Sequence, residues 1–515
     1  MSLPKLIGHQ TEILYLPKNK NLFITGSAGS GKSLLALYRV YWLAKVHPEE
    51  NVVLLTYNRP VNNDIKEKLY SIAYERNEKF PGNLIVETYH MFMQNFITQL
   101  WEFYGDNLNN LKQYILTDKN ISKRYNVKKK EIVKRALELV KEKYPQEVTL
   151  DRPLKVFVDE ITWMQQMSIK TEQQYINAER IGRKDTRIER TKRFYFFKVY
   201  EKYKELRTTN NYPGMFDYED VGTIVRELLD SISEKDEFYN HFKNKYIFID
   251  EFQDFTSDML MTINELLGDY GYLSLLGDVN QGVFGKRVSF KSLGINMSRF
   301  QRHILDNNYR NTREISDFAE LLTDSPYFDK KNEYYINAKK GTRHGDLPKI
   351  SIFKSEEQEL EQLMHYLKSE DFLGAHIQSI AILIPTGKFN MIKGYLEKYN
   401  IDYKDVRNIQ SDTKEKVIYI GSYFRIKGLE FDAVFMPFMN KETFKNIVSQ
   451  ENEEIDINRE DFSINQVGEE LLEEHVARIY VGITRARETL FISATNTLTP
   501  FLNSKEFEQY YSYEE

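Results

Sequence analysis

The stretch Gly26-Ser27-Ala28-Gly29-Ser30-Gly31-Lys32-Ser33 constrains this chain more than any other. It follows an apolar run, Asn21-Leu22-Phe23-Ile24-Thr25, and precedes a helical pattern, Leu34-Leu35-Ala36-Leu37-Tyr38-Arg39-Val40. Strand, glycine-rich loop and helix in that order fit G-x-x-x-x-G-K-[ST], in which backbone N–H groups close around phosphates. Lys32 can reach the β- and γ-phosphates, and the Ser33 hydroxyl can hold Mg²⁺. The competing reading is a Gly/Ser-rich turn with no ligand. Strand, loop and helix in register favour a nucleotide, ATP or GTP.

The loop sits in an alternating pattern. Apolar runs at Asn21–Thr25, Val52–Thr56 and Leu84–Thr88 are each followed by a helical period, which predicts βαβ units and a parallel sheet. From about 96 to 224 strand signals vanish and long helical periods rich in Lys, Glu and Tyr take over. Strands return at Tyr246–Asp250 and Tyr272–Leu276. A second α/β pattern follows, with strands expected at Ile350–Phe353, Ser379–Pro385, Val417–Ile420, Ala433–Phe438 and Leu490–Ser493. The expected fold is α/β: two parallel-sheet lobes, the first carrying a helical insertion. The expected division is 1–95 and 225–310 for the first lobe, 96–224 for the insertion and 311–515 for the second lobe. At 515 residues the chain is too long for one core.

Composition narrows the class. No cysteine is present, which excludes disulfides and zinc-thiolate sites and suits a reducing cytoplasm. No apolar run approaches the ~20 residues that span a bilayer, and the N-terminus lacks a signal-peptide core; a cytoplasmic location without membrane contact is expected. The net charge is -5, yet two stretches are strongly basic. Residues 112–143 and 180–207 each hold 11 Lys/Arg against 4 Asp/Glu, a local net of +7. Such stripes suit a polyanion, or are solvated helix faces. The aromatics interleaved in the second, Phe194, Tyr195, Phe196, Phe197, Tyr200 and Tyr203, are expected to be core.

A second motif completes the nucleotide site. Tyr246-Ile247-Phe248-Ile249 leads into Asp250-Glu251-Phe252-Gln253-Asp254. A buried strand delivers Asp250 beside the phosphate loop, where it can share Mg²⁺ with Ser33. Glu251 is placed to orient and deprotonate a water. Gln253 and Asp254 could sense the nucleotide or couple it to neighbouring elements.

Together these motifs resemble those of superfamily 1A helicases of the UvrD/Rep/PcrA kind, and further matches follow in the family's order across residues 6 to about 493. Gln10 resembles the Q motif, which implies adenine recognition. Thr56-Tyr57-Asn58 and Thr88-Tyr89-His90 resemble two DNA-contacting motifs. Asp217-Tyr218-Glu219-Asp220-Val221 resembles the acidic-aromatic segment before the Asp-Glu strand. In Gly277-Asp278-Val279-Asn280-Gln281, Gln281 would link the γ-phosphate to the DNA face. In Asn308-Tyr309-Arg310, Tyr309 would stack on adenine and Arg310 reach the γ-phosphate. Lys427-Gly428-Leu429-Glu430-Phe431 adds Gly428 and Glu430 to the nucleotide set. Tyr480-Val481-Gly482-Ile483-Thr484-Arg485 supplies Arg485 as the second-lobe arginine. The resemblance implies two RecA-like lobes and an ATP- and Mg²⁺-dependent helicase or translocase of 3′-to-5′ polarity. It implies single-stranded DNA or single-strand/duplex junctions as partner, contacted by Thr56, Tyr57, Thr88, His90 and Phe284.

Three departures are visible. Lys286 stands where the family places a base-stacking Trp, and Phe424 where motif V commonly has His. Only about 117 positions separate Arg310 from Lys427, the interval that holds a large 2B subdomain in many members; a compact variant without 2B is expected, with a partner nuclease or regulator supplying control. The plan also resembles compact UvrD-like subunits of bacterial antiphage systems, which implies an alternative role as an ATP-gated, DNA-sensing regulatory subunit.

Overall fold

The computed structural model describes residues 6, 8–27, 29–104, 121–178, 188–207, 217–232, 237, 242, 244–269, 271–278, 295–305, 307–325, 341, 343–369, 376–385, 387–406, 416–423, 425–426, 428–441, 443–444 and 469–513. Ala28, Gln281, Phe284, Lys286, Phe424 and Lys427 lie outside them, as do residues 112–120 and 180–187 of the two basic stretches.

The first lobe is built on six strands: β1 Asn21–Gly26, β2 Asn51–Thr56, β3 Leu84–Thr88, β4 Asn244–Ile249, β5 Tyr272–Gly277 and β6 Phe300–Leu305. They pair in the order β3-β2-β4-β5-β1-β6, all parallel. Helices cover both faces, so β1, β2 and β5 are buried along almost their whole length. Two apolar cores result, one on each face: Leu22, Ile24, Val52 and Leu54 point one way, Phe23, Val53 and Leu55 the other. The order β4-β5-β1 aligns three loops at the carboxyl edge: the phosphate loop after β1, Asp250-Glu251 after β4, and Asp278 after β5. Helix α1 is His9–Leu14, α2 Lys32–Val46 and α3 Arg59–Glu75. The Asn58 side chain caps α3 by accepting from Val61 N–H at 3.0 Å.

Between β3 and β4 every described element is helical, including Ile121–Lys143, Leu154–Gln166 and Arg193–Leu206. These three share a core of their own, centred on Phe157 and Phe196, whose rings stack at 4.6 Å. Phe197, Tyr200 and Tyr203 are buried there too, as expected, while Phe194 and Tyr195 lie half-buried against Tyr144.

The second lobe carries β7 Lys349–Phe353, β8 Ser379–Leu383, β9 Lys404–Asp405, β10 Val417–Gly421, β11 Phe431–Met436, β12 Ala486–Thr495 and β13 Ser512–Tyr513. Their order is β13-β7-β12-β11-β8-β10-β9, again parallel. The two parallel-sheet α/β lobes agree with the expected RecA-like class. All ten expected strands are present. Three were missed: β6, β9 and β13. The first, Phe-Gln-Arg-His-Ile-Leu, is an edge strand with exposed Gln301, Arg302 and Ile304, so it lacks the apolar run that marks a central strand. The other two are two residues long. No helix among the described residues is long and apolar enough to cross a membrane.

One buried group in this lobe makes its stability depend on acid. His475 lies between Phe444 and Phe501, with ring centroids 4.8 and 5.3 Å away, and its Nδ1 forms no hydrogen bond. Burial, helped by nearby Arg478, pushes its pKa from 6.5 down to about 3. The folded state holds this imidazole neutral, so stability present above pH 6.5 is lost as pH falls toward 3. His475→Leu is expected to flatten the melting-temperature profile between those limits, read by thermal unfolding from pH 7 to 4; an unchanged acid slope would mean that other groups set it.

Candidate functional site

The phosphate loop is shaped by two left-handed glycines, Gly29 (φ 77°) and Gly31 (φ 80°). A side chain on Gly29 would meet Asn308 and Arg310, and one on Gly31 would meet the Gln10 amide. Both positions therefore require glycine for space as well as for backbone angle. Lys32 is buried. Its ammonium donates to the Gly26 and Ser27 carbonyls at 2.9 and 2.8 Å. Burial lowers its pKa, while Asp278 and Glu251 oppose the shift. Gln10 Nε2 donates to the Ser30 carbonyl at 2.8 Å, which ties the Q-motif position to the loop.

Across the carboxyl edge, Asp250 follows β4 and is buried. Its Oδ1 accepts the Glu251 N–H at 3.1 Å, while Oδ2 forms no hydrogen bond. Burial and then the neighbouring Glu251 push this carboxyl from 3.8 up to about 7, with the Ser33 hydroxyl and Lys32 pulling the other way. A buried carboxylate oxygen without a donor, facing a hydroxyl at the start of α2, is the donor set of a hard divalent cation. Asp250 and Ser33 fit Mg²⁺ on those grounds. Glu251 itself sits at φ 53°, strained for a residue with a Cβ. Gln253 locks it: Nε2 donates to Glu251 Oε2 at 2.5 Å, while Oε1 accepts the Asp278 N–H at 3.1 Å. One amide thus connects the Glu251 carboxylate to the loop after β5. The sequence had offered Gln253 as a sensor of the nucleotide or a coupling to neighbouring elements; that its partner is the loop after β5 is a long-range fact with no local signal.

Arginines arrive from the other side. Asn308 Oδ1 accepts the N–H groups of Arg310 and Asn311 at 3.0 and 3.1 Å, and Tyr309 N–H donates to Gly29 O at 3.0 Å. The segment leaving β6 is therefore tied to the phosphate loop before it enters the second lobe. There Asn311 Nδ2 donates to the Thr484 and Ala486 carbonyls. Arg310 Nη2 pairs with Glu430 Oε1 at 2.5 Å, and its buried Nε forms no hydrogen bond. Arg485 is fully buried, with Nε on the Val481 carbonyl at 3.0 Å and Nη1 on that of Leu429 at 3.3 Å. Burial, then Arg310, lowers its pKa to about 10, and Glu251, Glu430 and Asp278 offset part of this. Charges from both lobes thus meet around Arg485. Gly428 (φ 84°) packs on the other lobe: a Cβ there would run into Val61 of α3.

The candidate nucleic-acid residues lie along the same sheet edge. Thr56 and Thr88, paired in register at the ends of β2 and β3, are buried. Tyr57 and His90 are half-buried just beyond them. His90 meets Tyr218 edge-on at 5.2 Å, and Tyr57 meets Phe255 at 6.2 Å. Tyr218 joins this aromatic group from 128 residues further along the chain, and the sequence reading did not single it out as a contact.

Residues 8–300, more than half of the chain, match the UvrD/REP helicase N-terminal domain, and residues 405–497 match the UvrD-like helicase C-terminal domain. The chain belongs to the UvrD/REP helicase family. It is 25% identical over 257 residues to the ATP-dependent DNA helicase Rep of Buchnera aphidicola, a match covering 48% of this chain and 37% of that protein. It is 21% identical over 467 residues to DNA helicase II of Escherichia coli, covering 86% and 57%. It is 26% identical over 242 residues to the ATP-dependent DNA helicase PcrA of Bacillus subtilis, covering 44% and 31%. The chain spans about half or less of the length of these relatives.

A carboxyl whose folded pKa stands above its unfolded one costs stability as pH rises. Asp250→Asn is therefore expected to raise the melting temperature of the metal-free protein. The gain grows from about pH 4 and levels off above about 7. Thermal melts in EDTA across that window check it, and a variant less stable than wild type at pH 8 would contradict it.

Proposed function

We propose that this chain is an ATP-dependent DNA helicase or translocase that hydrolyses ATP in the cleft between its two lobes. The observation that carries this reading is the convergence of Lys32, Asp250, Glu251 and Asp278 of one lobe with Arg310 and Arg485 at the other wall. Gly26 to Ser33 would cradle the phosphates, with Lys32 exchanging its loop carbonyls for β- and γ-phosphate oxygens. Gln10 and Tyr309 flank the loop where the base would lie. Ser33 and Asp250 would hold Mg²⁺, which neutralises phosphate charge. Glu251, fixed by Gln253, orients the attacking water and takes its proton. Arg310 and Arg485 stabilise the charge that develops on the transferred phosphoryl group. Loss of the γ-phosphate removes the anion that holds both walls together, and the cleft opens.

The Gln253 bridge couples that event to the loop after β5, and so, in this reading, to Gln281 and Phe284 and the DNA face. Single-stranded DNA would lie along Thr56, Tyr57, Thr88 and His90, gripped by aromatic stacking and backbone contacts. The polarity assigned is 3′ to 5′, by family likeness.

The test is strand displacement on duplexes with a 3′ or a 5′ tail, with ATP and Mg²⁺. Unwinding of the 3′-tailed duplex alone is expected, and Glu251→Gln is expected to abolish it. Arg485→Ala is expected to lower ATP turnover by about 10³-fold or more, since an arginine finger contributes about 10³–10⁵. ATPase stimulated by single strands without displacement would instead favour a gated regulatory subunit acting with a partner protein. Full turnover in Glu251→Gln would remove that residue from the mechanism.

A further inference from the structure

Glu430 is more than one more residue beside the nucleotide. Its two oxygens are divided between two arginines. Oε1 takes Arg310 Nη2 at 2.5 Å, and Oε2 takes Arg487 Nε and Nη2 at 3.1 and 2.7 Å. The pair is largely shielded, with side-chain exposures of 14% for Arg310 and 28% for Glu430, so it is stronger than an ordinary surface bridge. A third arginine fixes the backbone around it: Arg343 Nη2 donates to the carbonyls of both Arg310 and Arg487 at 3.0 Å. Helix α3 of the first lobe adds a paired Asp64 and Lys68, 2.6 Å apart, whose charges act on Arg487 and Glu430 respectively. Burial works against ionisation of Glu430, yet Arg310 and Arg487 outweigh it and hold the carboxyl well below the usual range. Glu430 is therefore an anion at all working pH values.

A γ-phosphate in the cleft would compete with this carboxylate for the Arg310 charge. We propose that Glu430 is a competing counter-ion that parks Arg310 away from the γ-phosphate, and that Arg487 is a positioning residue that weakens the parking by sharing the same carboxylate. The proposal rests on the reading of the cleft as an ATP site. It sets an entry cost for triphosphate alone: ADP has no γ-phosphate to draw Arg310 off Glu430. The device makes ATP affinity adjustable by charges on α3 and at the start of β12, none of which touches the nucleotide.

The experiment is equilibrium binding of the β,γ-imido analogue of ATP and of ADP, each with Mg²⁺, to the full chain. Glu430→Gln is expected to raise the affinity for the analogue relative to that for ADP by about three- to tenfold, since any contact Glu430 makes with both nucleotides cancels in the ratio. Arg487→Ala leaves Arg310 as the one arginine paired with Glu430 and is expected to bind the analogue several-fold more weakly, with ADP unchanged. In an Arg310→Ala background, Glu430→Gln is expected to have no effect on that ratio. An unchanged or lowered analogue-to-ADP affinity ratio in Glu430→Gln would overturn the proposal. Lys32→Ala separates the two levels: undiminished binding of both ligands there would sink the ATP-site reading itself, whereas loss of binding there with no effect at Glu430 sinks the proposal alone.

Discussion

The cleft depends on one backbone contact, the hydrogen bond from Tyr309 N–H to the Gly29 carbonyl. It brings the segment that joins the lobes directly onto the phosphate loop. The contact needs a residue without a side chain at Gly29, because Asn308 and Arg310 occupy the space a Cβ would take. It also needs Asn308, whose side chain satisfies the N–H groups of Arg310 and Asn311 and so holds the turn closed. Arg310 is thereby fixed at its Cα to one lobe, while its guanidinium reaches the other. Any ligand that changes the phosphate loop acts on the crossing segment at once, without an intervening chain of contacts.

Cations would repel one another in such a space unless each were given an anion or a carbonyl. Lys32 uses its own loop carbonyls, Arg485 those of Val481 and Leu429, and Arg310 uses Glu430. The carboxylates are matched less evenly. Glu251 has an amide partner, whereas Asp250 keeps an oxygen buried with no donor. Asp250 Oδ2 and Arg310 Nε are buried at the cleft and left short, one suited to a cation and the other to an anion.

How much of this was legible in the sequence depended on range. The central strands could be read because burial on both faces writes continuous apolar runs, as in Tyr246-Ile247-Phe248-Ile249. The edge strand β6 could not, because half of Phe300–Leu305 faces water. The phosphate loop and the Asp250-Glu251 pair are local words, spelled by neighbouring residues. Arg310 and Arg485 were named through likeness to a family rather than through any pattern of their own. The Glu430–Arg487 pairing joins positions 57 apart, and the Gln253 bridge spans 25 residues to Asp278. Nothing in a linear pattern announces such pairs, since Arg and Glu are common on any surface and only the fold decides which of them meet.

The helical insertion keeps a core apart from that of the first lobe: its apolar cluster around Phe157 and Phe196 does not merge with the lobe's own. The joint instead carries polar groups: Arg226, itself paired with Asp258 of the lobe at 2.5 Å, donates to Ser168 Oγ of the insertion, and Lys170 pairs with Glu227 at 3.7 Å. Apolar joints demand matched shapes over a wide area, whereas ionic ones demand only a few residues in the right places. The insertion is in that sense a replaceable part. A lineage could rebuild its interior or its outer surface while retaining the handful of polar residues at the seam and leaving the cleft between the lobes untouched.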